Sequence, residues 1–443
     1  MQLHVGLDDT DSPEGGCTTH IVARLVEQLY KRGVTFTDYP NLLRLNPNVP
    51  WKTRGNGAVC LRFLIDDSQL EEVKQCILKE VEQNSKFECD NTNPGVVFHK
   101  GDVPPIYKEF SKRVISSVVK LVDAKKVIRE GLGEAVGFKN ERGLIGAIAA
   151  IGGLYEGDYT FELLTYRNPD NYGTNRMLDE DSVWAMNLEL GETYNNVDKK
   201  FRRVLIAPRG PDPVLFGIRG ETAKVVWEAG RRVVSLEPIT RWVIFRSNQG
   251  TDNHLKNLLK INELQPMTPA KVSGKVSKKS WTIIGGHVFF TLQDETGEIV
   301  CAAYEPTGNF RENVRMLIPE DRVTVYGGVR NDKEKPTLNL EKLEITLLAK
   351  NVQYVNPRCP TCRGSMESMG MDKGYRCRHC GYRDGKLVKV PKIFDRELEI
   401  GMFFPQPGAQ RHLSKPSVRY GKEKHGDYVF QLPDEPWFGI GNL

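Results

Sequence analysis

No stretch of the 443-residue sequence approaches the roughly 20 consecutive apolar residues of a membrane-crossing helix, so a spanning helix is excluded. No secretory leader is expected either, since Asp8, Asp9 and Asp11 interrupt the only apolar run near the start. Cysteine is sparse outside one cluster. Of nine cysteines, Cys17, Cys60, Cys76, Cys89 and Cys301 show no paired spacing, which argues against a disulfide-stapled scaffold and for reduced thiols. Strong net charge is absent as well, with 62 Lys and Arg against 57 Asp and Glu. A soluble cytoplasmic protein is expected, with no membrane association and no obligate protein partner. Hydrophobic residues make up 39% of the chain, enough for real cores, and the length suggests roughly two to four domains.

The charge that is present is unevenly placed. Residues 350–430 hold 16 Lys and Arg against 8 Asp and Glu, whereas residues 1–349 hold 46 against 47. A near-neutral body with a basic C-terminal region fits a protein that handles nucleic acid with one part and does something else with another. A basic surface kept for solubility is the plainer alternative.

The N-terminus carries the densest chemistry. Leu3, Val5 and Leu7 read as a buried strand that runs into Asp8, Asp9 and Asp11. Gly15 and Gly16 follow, then Cys17-Thr18-Thr19 at the start of a helical pattern through Ile21, Leu25 and Leu29. Carboxylates at a strand end can hold a divalent cation through oxygen ligands. Glycines before a helix leave its free N–H groups open to an anion. The residue types therefore allow a Mg2+ and nucleotide-phosphate site, and equally an acidic turn with Thr18 or Thr19 as an N-cap.

Arg44 to Ala58 mixes two prolines, two glycines, asparagines and cations before an apolar strand. Glycine permits close backbone approach, and Lys52 and Arg54 suit phosphate contact, so this block reads as a phosphate- or RNA-binding loop. Downstream, the spacing predicts a helix over Gln69 to Gln83, a strand at Val96 to His99 and one long helix from Ile106 to Arg129. Short alternating strands and helices suggest an α+β layer of ferredoxin-like type, completed by segments between Val204 and Phe245. Arg142 to Gly153 is a small-residue helix suited to close packing.

A linker is expected over 247–268, then several short strands over 269–347 that fit a small OB barrel. Trp281, Phe289, Phe290 and Tyr304 are candidate base stackers there, though most read as core. The most specific local signal is Cys359-Pro-Thr-Cys362, fourteen residues, then Cys377-Arg-His-Cys380, the spacing of a Zn2+ ribbon. Gly364 and Gly381 follow the two pairs. Four thiolates leave no open position, so the zinc is structural. Arg358, Arg376 and Arg378 crowd the ligands and invite RNA, while His379 reads as an RNA contact or as exposed. Arg411, His412 and Lys415 form a further cationic stretch, a nucleic-acid clamp or a surface strap.

Taken together, several blocks resemble the archaeal tRNA(Ile) 2-agmatinylcytidine synthetases. They are Asp8 to Asp11 with Gly15 to Thr19, Arg44 to Ala58, Arg142 to Gly153, Gly217 to Glu221 and Arg241 to Thr251, followed by the OB-like segment and the ribbon. The resemblance implies an ATP-dependent enzyme that joins agmatine to C2 of the wobble cytidine of the isoleucine tRNA with a CAU anticodon. It further implies that Thr18 becomes phosphorylated and so lies against the γ-phosphate. Asp8, Asp9 and Asp11 would bind Mg2+ or serve as base, Gly15, Gly16, Lys52, Arg54 and Asn56 would bind ATP, and Arg358, Arg376, Arg378, Arg411, His412 and Lys415 would bind tRNA. Two other classes compete: a non-catalytic tRNA-binding protein, and a kinase that transfers phosphate without agmatine.

The expected fold is thus a multidomain α/β and α+β body, kinase-like plus ferredoxin-like, followed by an OB-fold β-barrel and a C-terminal zinc ribbon. The kinase-like part takes residues 1–57 and 131–197, the ferredoxin-like part 58–130 and 198–246, and the ribbon with its basic extension 350–430.

Overall fold

The computed structural model describes all residues except Lys333, Glu334, Tyr428, Leu432, Asp434 and Glu435, so Tyr428 of the expected basic region lies outside the description. The chain opens with β1 (Gln2–Asp8), whose Leu3, Val5 and Leu7 are fully buried, and α1 (Thr18–Lys31). It continues through β2 (Thr35–Phe36), β3 (Asn41–Arg44), β4 (Gly57–Leu64), α2 (Leu70–Asn84) and β5 (Gly95–Lys100). Next come α3 (Pro105–Ser116), α4 (Leu121–Glu130), β6 (Glu134–Gly137), α5 (Leu144–Gly152), β7 (Thr160–Arg167) and α6 (Glu180–Glu189). The body closes with β8 (Thr193–Tyr194), β9 (Val197–Asp198), β10 (Arg203–Val204), β11 (Val214–Gly220), α7 (Ala223–Arg232) and β12 (Ile239–Ser247).

One sheet runs through this body in the order β6-β5-β1-β4-β3-β12-β7-β11-β8. β1 is antiparallel to both β4 and β5, and the two halves join where β12 lies parallel to β3, Arg246 opposite Asn41. A core of β1, α1, α2 and α7 residues covers one face, and α3, α4 and α5 enclose a second core on the other face of the N-terminal half.

Three expectations change here. The sheet does not divide along the expected domain lines: β1 is buried on both faces and pairs along both edges, so strands from 58–130 flank it rather than forming a body of their own. The single long helix is two, because Ser117 leaves the helix in extended conformation and the Ser116 and Ser117 hydroxyls bond back to the Lys112 and Arg113 carbonyls. The expected linker is partly interior: Asn248, Gln249, Thr251 and His254 are buried, with Asn248 Oδ1 accepting from the Arg44 amide at 2.7 Å.

β13 (Pro269–Thr282), β14 (Val288–Gln293), β15 (Glu298–Ala303), α8 (Phe310–Arg315), β16 (Arg322–Asp332) and β17 (Lys335–Leu347) form the OB barrel. β15 pairs parallel with β17 and closes the order β15-β14-β13-β16-β17. Phe290 is core, whereas Trp281 stacks on Phe289 near the surface. An exposed two-stranded stalk of β18 (Val352–Val355) and β22 (Val390–Ile393) carries the ribbon strands β19 (Met366–Ser368), β20 (Tyr375–Cys377) and β21 (Arg383–Asp384). The chain then returns: β23 (Gly401–Phe403) adds to β17 and β24 (Phe438–Ile440) to β12. Among the described residues no helix is long and apolar enough to cross a membrane.

Candidate functional site

A cavity of about 430 Å³ opens where the two half-sheets meet. Its walls include Asp8, Asp9 and Asp11 from the end of β1, Thr18 from α1, Lys52, Arg54 and Asn56 from the glycine-rich loop, and Glu162, Asp212, Arg219 and His412 from the other side. Residues far apart in the chain, from Asp8 to His412, thus share one space.

β1 ends abruptly because Asp9 turns to a φ of 61° and swings its carboxylate onto Arg142, which bonds it through Nε at 2.9 Å and Nη2 at 3.0 Å. Arg142 also holds the Asn91 side chain and carbonyl. Asp11 instead accepts from Arg54 Nη2 at 3.0 Å, and Arg54 reaches Asp212 at 3.3 Å and the Gly16 carbonyl at 2.6 Å. Asp8 makes no ion pair among the described residues. Burial, then the Asp9 charge, pushes its carboxyl well above the usual range, and Asp9 itself is pushed up to about 7, burial outweighing Arg142.

α5 makes room for this end of the sheet. A Cβ on Gly146 would fall 1.9 Å from Asp8 Oδ2, and one on Gly6 2.0 Å from the Ala147 carbonyl oxygen. Thr18 opens α1, buried, with its hydroxyl 2.9 Å from that of Thr10. Neither Thr18 nor Thr19 caps α1; Cys17 holds the N-cap position without a side-chain bond to the helix backbone, its Sγ lying 3.0 Å from the Thr19 hydroxyl. The acidic turn with a threonine N-cap is therefore not what forms.

The expected phosphate ligands divide. Gly15 spends its amide and carbonyl on a turn with Ser12, and Asn56, at a φ of 45°, ties its side-chain amide to the Asn46 carbonyl. Both build the loop rather than face the cavity with free donors. Lys52 bonds the Val49 carbonyl at 3.2 Å, and burial with Arg411 and Arg330 nearby lowers its pKa. Arg54 is already paired with carboxylates.

Nor do the three aspartates converge. Among the described residues, only Cys359, Cys362, Cys377 and Cys380 form a group of three or more acidic, His or Cys side chains with ligand atoms within 4.8 Å of one another. Mg2+ commonly uses one or two carboxylates together with phosphate oxygens and water. Asp8, with no cation partner among the described residues, fits that role, and Asp9 and Asp11 are drawn off by Arg142 and Arg54.

The four cysteines fit Zn2+ closely. The Cys359–Cys380 and Cys362–Cys377 sulfurs stand 3.5 Å apart, near the edge of a tetrahedron with bonds of about 2.3 Å. Arg363 (φ 57°) and Gly381 (φ 77°) follow the second cysteine of each pair and turn their amides back to the Cys359 and Cys377 carbonyls.

The expected RNA contacts also part company. Arg358, Arg376 and Arg378 are exposed on the ribbon, with Arg376 and Arg378 both bonded to Glu367. Arg411 bonds Asn48 Oδ1 at 2.7 Å and faces Glu341, and Lys415 is held inward by Glu423 at 2.7 Å. His412 lies in the cavity wall. Glu162, Asp212 and Arg219 were not expected here. A charged residue inside an apolar strand run such as Phe161-Glu162-Leu163-Leu164 is the signal that could have found Glu162, which pairs across β7 and β11 with Arg219.

Family models agree with this layout. One for the TiaS TCKD domain matches residues 4–65, one for the TiaS FLD domain 141–254, one for the OB-fold nucleic acid binding domain 270–346, and one for the TiaS C-terminal zinc ribbon domain 356–398. The isoleucine-tRNA 2-agmatinylcytidine synthetase TiaS of Thermococcus sibiricus is 43% identical over 420 residues, 94% of this chain and 96% of that protein. The same enzyme of Archaeoglobus fulgidus is 38% identical over 432 residues, 97% of this chain and all of that one. Two crystal structures of TiaS, one with its isoleucine tRNA and ATP and one with that tRNA, AMPCPP and agmatine, superpose with TM-scores of 0.86 and 0.83. They share 37% and 35% identity with this chain over 97% of its length and the whole of theirs. Sequence identity of this extent, in the same domain order, places the chain in the TiaS family of isoleucine-tRNA 2-agmatinylcytidine synthetases.

Proposed function

We propose that the chain is an ATP-dependent ligase that joins agmatine to C2 of the wobble cytidine of tRNA(Ile) with a CAU anticodon, forming agmatidine. One observation carries the reading: the buried carboxylates, Thr18 and a set of arginines line a single cavity in a chain that matches TiaS throughout. A purely RNA-binding protein has no use for such a cluster.

The chemistry assigns work to both walls. The C2 oxygen of cytosine is a poor leaving group, so the γ-phosphoryl of ATP is first transferred to it and ADP departs. The agmatine primary amine then bonds to C2, the C2–O bond breaks with the phosphate, and the amine gives up its extra proton. Mg2+, when bound, neutralises charge on the triphosphate; Asp8 would hold it, with nucleotide oxygens and water completing the shell. Asp9, with its raised pKa, is suited to accept the amine's proton near neutral pH. Thr18 lines the same cavity as Asp8 and Asp9, where a γ-phosphate would lie. Extruding the cytidine from its stack brings C2 within reach.

We assign nucleotide binding to the half-sheet that carries β1 and α1. Recognition of tRNA, drawn from the cytoplasmic pool, falls to the barrel and to ribbon residues Arg358, Arg376 and Arg378. Incubation with the tRNA transcript, ATP and agmatine, followed by nuclease digestion and nucleoside mass measurement, tests the reading. Agmatidine at the wobble position is expected. Unchanged cytidine with all components present sinks it, and phosphate on RNA or protein without the adduct would favour a kinase.

A further inference from the structure

On the cavity wall, three side chains have hydrogen-bond donors and too few acceptors. Arg44 is 14% exposed, yet its guanidinium has a single carboxylate contact among the described residues, Nη2 to Glu162 Oε2 at 3.5 Å, and its buried Nε has no partner there. Arg219 donates from Nε to Glu162 Oε1 at 3.0 Å and from Nη2 to His412 Nδ1 at 2.9 Å. Gln249 Nε2 also donates to Glu162, and its Oε1 is the second, longer neighbour of His412 Nδ1 at 3.1 Å. The Glu162 carboxylate therefore offsets one guanidinium of the two.

A guanidinium only donates, so we assign Nδ1 of His412 as acceptor and the ring proton to Nε2. Burial and the charges of Arg44 and Arg219 hold the ring far below its usual pKa, and it stays neutral. Its Nε2–H has no acceptor among the described residues. This donor and Arg44 Nη1 lie close together, both packed against Gly55, where a Cβ would fall 2.7 Å from Arg44 Nη1, 2.8 Å from His412 Cδ2 and 2.9 Å from His412 Nε2. The absence of a Cβ at Gly55 lets the two donors come together there, at the cavity wall. Two convergent donors beside an under-compensated guanidinium are what a phosphate oxygen requires.

We propose that Arg44, Arg219 and His412 form a phosphate cradle, distinct from the carboxylate end of the cavity, that takes a backbone phosphate of the RNA strand bearing the target cytidine. ATP phosphates share this chemistry. The triphosphate is assigned to the other end, where carboxylates can share its metal ion, so the cradle is left for RNA. The inference rests on the RNA-substrate part of the reading above. It also makes His412 part of the reaction cavity, delivered there by the C-terminal segment rather than lying on an outer RNA surface.

Equilibrium binding of the tRNA transcript across a salt series, without agmatine, tests the cradle. Arg44→Met should weaken tRNA binding about 5- to 10-fold and reduce the log–log salt slope by about 0.7, the share of one phosphate on a single strand. His412→Ala should weaken it about threefold, with His412→Gln, which restores a donor near Nε2, recovering most of the loss. Binding of AMPCPP should not move in any of them. The two histidine variants keep the test decisive should Arg44→Met fold poorly. An unchanged slope and affinity in the folded variants, or loss of AMPCPP binding with tRNA binding intact, overturns the proposal. Absence of agmatidine from the wild-type reaction would sink the ligase reading without touching this result.

Discussion

Asp9 experiences two opposed forces. Arg142 grips both its oxygens and favours the charged form, while burial and the neighbouring carboxylates favour the proton and raise its pKa to about 7. The unfolded chain releases that proton near 3.8, so the folded state binds it more tightly between those values. The stabilisation is complete below the unfolded value and fades as pH rises through about 7. Metal-free protein should therefore melt a few degrees lower at pH 8 than at pH 6, an Asp9→Asn variant should show less of this difference, and Mg2+ should restore the loss at pH 8. Thermal unfolding at the two pH values checks it. Thr18→Ala and Asp9→Ala should abolish agmatidine formation with tRNA affinity unchanged within about twofold, because both side chains are assigned to the reaction and neither to holding the RNA. Parallel loss of binding would mean that the cluster is structural. The residue types of this cluster were legible in sequence; their partners were not. Nothing near Asp9 in the chain identifies Arg142, and nothing near Arg44 identifies Glu162 or His412, because each pair is made by β-strands and loops brought together only by the fold.

Among elements, α5 and β1 set the position of the site. Gly6 and Gly146 let the helix backbone lie directly on the strand, and Gly143 would meet the Asp8 carbonyl oxygen at 2.6 Å if it bore a Cβ. The C-terminal carbonyls of the helix, Ala150 and Ile151, are held by Arg62, a fully buried guanidinium that also reaches His4 and Asn41. Gly6→Ala should cost about 2–3 kcal/mol through overpacking against backbone that cannot yield. Gly146→Ala presses on the Asp8 carboxylate and should reduce activity more than stability. Unfolding curves and turnover measured side by side separate the two effects. The density of small residues in Arg142 to Gly153 pointed to close packing, and that was legible. What lay beneath was not, since glycine spacing carries no information about its neighbour. Conversely, the periodicity over Ile106 to Arg129 suggested one helix, and the Ser116-Ser117 pair, whose hydroxyls compete for backbone carbonyls, ends it early.

Across the whole molecule, the C-terminal segment acts as the tie between parts that fold around separate cores. Arg419 is fully buried and bonds both Asp158 and Glu221 through paired nitrogens, plus the Gly250 carbonyl. Lys342 of the barrel meets Asp252, and Ser414 and His254 both bond Glu341. Arg419→Ala leaves the buried Glu221 and the half-buried Asp158 with only Lys424 and Lys415 as ion-pair partners among the described residues, and should destabilise the body by about 3 kcal/mol, read as a lower unfolding midpoint. The ribbon stands apart from this network. Its core is small, Cys359, Met366, Tyr375 and Cys377, and its stalk is exposed along both strands, so the metal must supply what apolar burial does not. Cys377→Ser removes one thiolate of four. We expect zinc content to fall to near zero and tRNA binding to weaken as Arg358, Arg376 and Arg378 lose their frame. AMPCPP binding and the main unfolding transition should stay in place, since no cavity residue lies on the ribbon. Retained zinc would refute the four-thiolate site. Loss of AMPCPP binding together with zinc would instead show that ribbon and body fold as one unit, with the stalk transmitting that coupling.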